Sequence, residues 1–200
     1  MIRIRKGALP PELLAWIEVN RNTPNFNYKH GRFPNAPVKT ALLREQGFLC
    51  AYTMQRIDDE HSHIEHLKPQ CRCESGEDVD YGNLLACHPG PQAWSDYGAR
   101  RKEDWWPKDS APLDTHFVSP LHPHCEQRFR YDLNGNMQPS RSDDAAAIQT
   151  IEILDLNNST LIALRKARVL AVLKNHRKQF LSIGETERKL AELDGQDAQG

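Results

Sequence analysis

Glu65 and His66 stand side by side in the stretch Ser62-His63-Ile64-Glu65-His66-Leu67-Lys68-Pro69-Gln70, and Asn83 follows seventeen residues after His66. Asp80-Tyr81-Gly82 leads into Asn83, and the apolar pair Leu84-Leu85 comes directly after it. These types at this spacing match the needs of phosphate-ester hydrolysis. A carboxylate holds a divalent ion, which stabilises charge on the phosphate and its leaving oxygen. A neutral histidine that titrates near working pH takes a proton from water. An amide holds the loop or the imidazole in register. A bare Glu-His pair is common on surfaces, so the added Pro69-Gln70 and Asp80…Asn83-Leu84-Leu85 carry the specificity.

Composition limits what can surround these residues. Two hundred residues suit one domain, or a small catalytic core with helical additions. Mean hydropathy is -0.70, and no apolar run approaches a membrane span. The start, Met1-Ile2-Arg3-Ile4-Arg5-Lys6-Gly7, lacks the apolar stretch of a signal peptide, so a cytoplasmic protein is expected. Five cysteines, an odd count, argue against a complete disulfide framework. The net charge of -1 gives no global attraction to nucleic acid. A protein acting on nucleic acid must then rely on local basic surface, on a metal, or on a partner.

The elements that must position the site read as follows. Pro10-Pro11-Glu12 opens a short helix through Leu13, Leu14 and Ile17. Asn35 is expected to cap a second helix, which Gly47 ends. Phe48 to Tyr52 looks like a strand or hairpin arm, residues 55–83 hold the second arm and a loop, and Leu84 to Cys87 leads into a site helix. Residues 88–115 are rich in Pro, Trp and charge and fit no simple element. Phe117–Leu121 and Phe129–Leu133 fit short strands, with Asn134-Gly135 a turn signal. Ser142 is placed to cap a helix running toward Leu154. A long helix is expected from Asn158 or Ser159 to about Ile183, striped by Leu161, Leu164, Val169, Val172, Leu173 and Phe180, before a polar, frayed tail after Glu192.

With those segments in view, nearly the whole chain resembles the HNH endonuclease subunits of Septu-type and retron-associated phage-defence systems (PtuB-like). The matching stretches are Ile2 to Leu14, Ala41 to Met54, Ile64 to Gln70 and Asp80 to Leu85, then Ser119 to Glu126, Arg130 to Gly135 and Ile153 to Asn157. The resemblance implies an α+β fold: a ββα-metal core within one domain over residues 1–200. The core would span about residues 40–135 and the C-terminal helical extension about 142–192. It implies nucleic acid as substrate, Mg²⁺ or Mn²⁺ as cofactor, and an ABC-type ATPase that holds the nuclease in check.

The chain departs from the family where a zinc knuckle would sit. Thr53 and Tyr97 stand at positions where paired thiolates are expected, leaving Cys50 and Cys87. A hydroxyl and a phenol stay protonated at neutral pH and bind zinc poorly. The structural zinc is expected to be lost, with Cys71, Cys73 or His88 as the means of rebuilding one. The residues expected at the active site are His66 as a base facing solvent, Glu65 as metal ligand, Asn83 as orienting amide, and Asp96 or its rival His88 completing the metal shell.

Each assignment has an ordinary structural alternative: a capped loop histidine, a surface carboxylate, a turn residue before a helix. His61 and His63 read as solvent-facing or substrate-side, and Cys125 as a buried thiol. The basic run Arg100-Arg101-Lys102 can track phosphates or simply be solvated, and Trp105-Trp106 can stack on bases or pack in a core. A second functional reading is a catalytically weakened HNH scaffold serving as a regulatory subunit of the ATPase.

Overall fold

The computed structural model describes residues 1–24, 26–29, 32–174 and 179–197. It is an α+β protein whose chain divides into two compact units, one of Met1–Arg130 with Met137–Asn158, the other of Tyr131–Asn136 with Ser159–Gly200.

In the first unit, helix α1 (Pro11–Asn20) starts with proline in its first turn, where a missing amide hydrogen costs nothing. It buries Leu13 and Trp16, and Trp16 meets Phe26 and Phe33 at ring centroids 5.8 and 5.4 Å apart. Helix α2 (Asn35–Glu45) buries Val38, Leu42 and Leu43. Its cap is Pro34, with no side-chain bond, so Asn35 is not the cap expected from sequence. The Asn35 carboxamide is occupied elsewhere, accepting from the Tyr28 phenol at 2.6 Å. Gly47 does end the helix, in the left-handed conformation (φ 60°) that only glycine adopts without penalty.

Strands β1 (His63–His66) and β2 (Leu84–Cys87) form an antiparallel pair in which Glu65 faces Leu85 and His66 faces Leu84. Leu84–Cys87 is therefore itself a strand and pairs directly with the Glu-His stretch. The other edge of β2 is covered rather than open. Gln46, buried just beyond α2, donates to the Ala86 carbonyl and accepts from the Ala86 amide, both at 2.8 Å, and the Ala51 amide donates to the same carbonyl. One side chain thus stands in for the missing strand and fixes α2 against the sheet. Phe48 to Tyr52 forms no strand. A single bridge, Leu49 to Arg56, closes a tight loop there.

After β2 the chain runs irregularly to a one-turn helix, α3 (Ala99–Lys102), which starts at Gly98 (φ 70°). The Gly98 amide donates to the Leu154 carbonyl at 2.7 Å, and a Cβ at 98 would press on Thr53 at 3.1 Å. Phe117 and Val118 are buried without forming a strand. Strands β3 (Phe129–Tyr131) and β4 (Met137–Pro139) make the hairpin that Asn134-Gly135 signals. Helix α4 (Ala145–Ile153) is capped by Asp144, which accepts from Ala147 and pairs with Arg128. Ser142, two residues earlier, is not the cap. Thr150 ties α4 down by accepting from the Val118 amide. The core of this unit gathers Leu13, Val38, Leu42, Tyr52, Leu84, Leu85, Phe117 and Leu154.

The second unit holds helices α5 (Ser159–Leu173) and α6 (Ile183–Asp197) and the hairpin turn 131–136. The helix expected to run to about Ile183 ends as α5 at Leu173, and α6 begins where that helix was expected to stop. Lys174 and Phe180 form an isolated bridge between them, and Ser182 with Glu185 starts α6 with a capping box: the Ser182 amide and hydroxyl both donate to the Glu185 carboxylate. Helix α6 runs past Glu192, where a frayed tail was expected. Gly135 (φ 91°) is required, since a Cβ there would lie 2.4 Å from the Ile162 carbonyl oxygen. Among the described residues no helix is long and apolar enough to cross a membrane.

Candidate active site

Alternation along β1 sends Glu65 and His66 to opposite sides of the strand. The His66 imidazole turns toward the loop that joins the two strands. Its Nε2 lies 2.9 Å from the Asp78 carbonyl oxygen, and its ring meets the Tyr28 ring edge-on at 4.6 Å. The Gln70 carboxamide nitrogen lies 3.4 Å from the same Nε2, but the Asp78 oxygen is nearer and only accepts, so the hydrogen is assigned to Nε2 and in the neutral ring the lone pair falls on Nδ1. Burial lowers the His66 pKa from its ordinary 6.5. The Asp78 carbonyl opposes that shift, and the charge of Lys102 adds to it. The ring is thus kept neutral, as a base must be. His66 does not face solvent as expected from sequence: it is 8 % exposed.

Asn83 is the staple of the same loop. Its Oδ1 accepts from the Lys68 amide at 2.7 Å, and its Nδ2 donates to the carbonyls of Lys68 and Glu77, each at 3.1 Å. The Asn83 carbonyl also accepts from the Leu67 amide, extending the strand pair by one bond. Asp80 prepares this position by accepting from Gly82 and turning the chain into a single 3-10 turn at Tyr81–Asn83. The amide therefore orients backbone, including the segment that presents Asp78 to His66. It makes no hydrogen bond to the imidazole itself.

On the other side of β1, Glu65 meets α3. The Lys102 ammonium donates to Glu65 Oε1 at 2.9 Å and to the His66 carbonyl at 3.0 Å. The two side chains are 13 % and 1 % exposed. Burial raises the Glu65 pKa from its ordinary 4.5, and the Lys102 charge partly offsets this. The Tyr52 phenol is buried beside the Glu65 carboxylate and pushed well up, first by burial and then by that charge.

The other two residues expected in the metal shell, Asp96 and His88, follow β2 in the chain. Asp96 is exposed on the segment between β2 and α3. His88 is half-buried and stacked on Tyr97 at 6.1 Å, with its pKa lowered chiefly by burial. Among the described residues no group of three His, Cys, Asp or Glu side chains is gathered closely enough to hold a metal ion.

The knuckle region is built without a full thiolate set. Cys50 and Cys87 are both fully buried and adjacent, and the Cys50 sulfur accepts from the His88 amide at 3.3 Å. Thr53 and Tyr97 are joined through Gln55: the Thr53 hydroxyl donates to Gln55 Oε1 at 3.0 Å, and Gln55 Nε2 donates to the Tyr97 phenol at 3.2 Å. A hydrogen-bonded chain spans the positions where thiolates were expected. Cys71 is exposed and Cys73 donates to the Lys68 carbonyl. His61 pairs with Asp58, and His63 Nδ1 is 2.6 Å from the Pro89 carbonyl.

Sequence reasoning missed Lys102, Asp78, Tyr28 and Tyr52. Lys102 was hidden inside the run Arg100-Arg101-Lys102, where its neighbours are more exposed. The available signal was its i+3 spacing from Ala99, which places both on the buried face of one turn.

No known family profile matches the sequence. A curated protein of Vibrio cholerae serotype O1 biovar El Tor, provisionally named the Retron Vc95 HNH endonuclease, is 22 % identical over 179 residues, which cover 84 % of this chain and 82 % of that protein.

Proposed function

We propose that the chain is an HNH endonuclease that hydrolyses phosphodiester bonds in DNA or RNA. The observation that carries this reading is the state of His66, whose Nε2 hydrogen is taken by the Asp78 carbonyl so that Nδ1 is left as base. In the proposed reaction Nδ1 takes a proton from water as the oxygen attacks phosphorus. The new P–O bond forms, the scissile P–O bond breaks, and the leaving oxygen is protonated from solvent. Asn83 keeps the Asp78 segment in place throughout. The strand pair with α3 would be a shortened ββα core.

The Mg²⁺ or Mn²⁺ ion implied by the family does not fit the residues present. Glu65 is already paired with Lys102, and among the described residues no three His, Cys, Asp or Glu side chains gather to hold an ion. No step of the reaction is therefore routed through a metal. The biological setting we propose is an anti-phage effector in the cytoplasm, acting with an ABC-type ATPase. The near-neutral charge is consistent with a partner that supplies nucleic-acid binding. One observation favours a second reading, a catalytically weakened scaffold of that ATPase: the carboxylate expected to bind metal is held by a lysine.

The test uses closed circular DNA and circular RNA, which only an endonuclease opens. The full chain is assayed alone and with the ABC-type ATPase from its gene neighbourhood, in Mg²⁺, in Mn²⁺ and in chelator. Opening of circles that is lost in His66→Gln supports the endonuclease. No opening under any of these conditions supports the scaffold.

A further inference from the structure

We infer that Lys102 is the resident cation of the Glu65 site: its ammonium takes the place that a divalent ion would need, and Glu65 binds no metal in this protein. Lysine seldom loses nearly all its exposure without a partner. Here the last residue of α3 is turned inward until its side chain is 1 % exposed, and its ammonium reaches two consecutive residues of β1. One contact is the Glu65 carboxylate, the other the His66 carbonyl. A single charge thus neutralises Glu65 and anchors the strand beside the imidazole.

Three further facts point the same way. Electroneutrality is satisfied by the pair, so a dication at Glu65 would face the Lys102 ammonium across the same carboxylate, with little water to screen the repulsion. The remaining ligands for such an ion are not gathered among the described residues. A phenol is uncharged at neutral pH, so the buried Tyr52 supplies no second negative oxygen. A divalent ion and Lys102 are therefore alternatives at Glu65, and this fold is built around the lysine.

The inference rests on the HNH reading only for the expectation of a metal at Glu65. Its test reads no cleavage, so the two fail separately. Mn²⁺ is titrated into the purified full chain and into Glu65→Gln, and binding is followed by loss of the free-ion EPR signal. The expected result is the same binding curve for both proteins, whether flat or reporting a site elsewhere. Binding to the native chain that disappears in Glu65→Gln overturns the inference.

The second arm measures melting temperatures of Glu65→Gln, Lys102→Met and the double variant. Removing one member of a buried pair is expected to lower the melting temperature by roughly 6–20 °C for a chain of this size. The double variant, which leaves no lone charge, should melt above Lys102→Met. If Lys102→Met does not fold, recovery of folding in the double variant gives the same support. A Lys102→Met protein as stable as the native chain, or a double variant no more stable than the weaker single one, overturns the inference.

Discussion

Replacing Asn83 by alanine should loosen the loop between β1 and β2 and, through it, the base. The side chain makes three hydrogen bonds to backbone, with the Lys68 amide, the Lys68 carbonyl and the Glu77 carbonyl. At about 1 kcal/mol net for each bond the loss is about 3 kcal/mol. These groups are only part-buried, so water recovers some of it, and about 1.5–3 kcal/mol is the expected cost. For a chain of two hundred residues that lowers the melting temperature by roughly 3–12 °C. The effect should be local first, with faster amide exchange across residues 67–83 than elsewhere. Cleavage should fall as well, because the segment that is loosened carries the Asp78 carbonyl that fixes the His66 tautomer. Asn83→Asp is the sharper variant. It keeps the acceptor for Lys68 but turns a carboxylate toward two carbonyl oxygens, so its defect should shrink as pH falls and the carboxyl regains a donor. Thermal melts and hydrogen exchange on the full chain decide the matter. A melting temperature within about a degree of native, with unchanged exchange over the loop, refutes the stapling argument.

Other outcomes follow from the same structure. His66, His63 and His88 all have pKa values lowered from 6.5, chiefly by burial. Their stabilising contribution is complete above 6.5 and is lost as pH falls below it, where the unfolded chain binds protons first. Melts across pH 5 to 8 should show this, and the acid limb of the cleavage profile should lie below 6.5; a limb above 6.5 contradicts a buried neutral base. Zinc analysis of the purified chain should be substoichiometric, and chelator should leave the melting temperature unchanged, because Thr53, Gln55 and Tyr97 are bonded to one another across the knuckle. One tightly held zinc per chain, with collapse on chelation, would reverse that reading. Phe180 is 66 % exposed, so Phe180→Glu should melt within about a degree of native while weakening co-purification with the proposed ATPase partner; normal co-purification argues against a docking role for this position.

The proximity of Glu65-His66 and Asn83 in the candidate site was legible in the sequence because its signals are local. Glu65-His66 and Asn83 stand at opposite ends of one loop, and the pairing of His66 with Leu84 brings those ends together. Asn134-Gly135 announced its hairpin because the turn geometry demands that residue. What was illegible depended on distant contacts. The short strand at Leu84–Cys87 reads equally well as the start of a helix, since four apolar residues carry no period. The edge of β2 is completed by Gln46, forty residues away, and a glutamine after a helix gives no hint of that role. Lys102 was unreadable for the same reason: a cation in a basic run is ordinarily solvated, and only the position of α3 against β1 turns it inward. The start of α6 was visible in principle, in the Ser182-x-x-Glu185 box, but the apolar stripe from Leu161 to Phe180 hid the end of α5 at Leu173.

The central claim is that His66 is the base of a phosphodiesterase, and substitution by glutamine tests it most directly. Glutamine can still donate to the Asp78 carbonyl, so His66→Gln removes the base while keeping the contact that holds this buried position. The measurement is the rate at which native and His66→Gln proteins, both shown to be folded by their melts, open the same circular substrate. The account predicts a loss of about a hundred- to ten-thousand-fold in the variant. Equal rates from a folded His66→Gln protein contradict it.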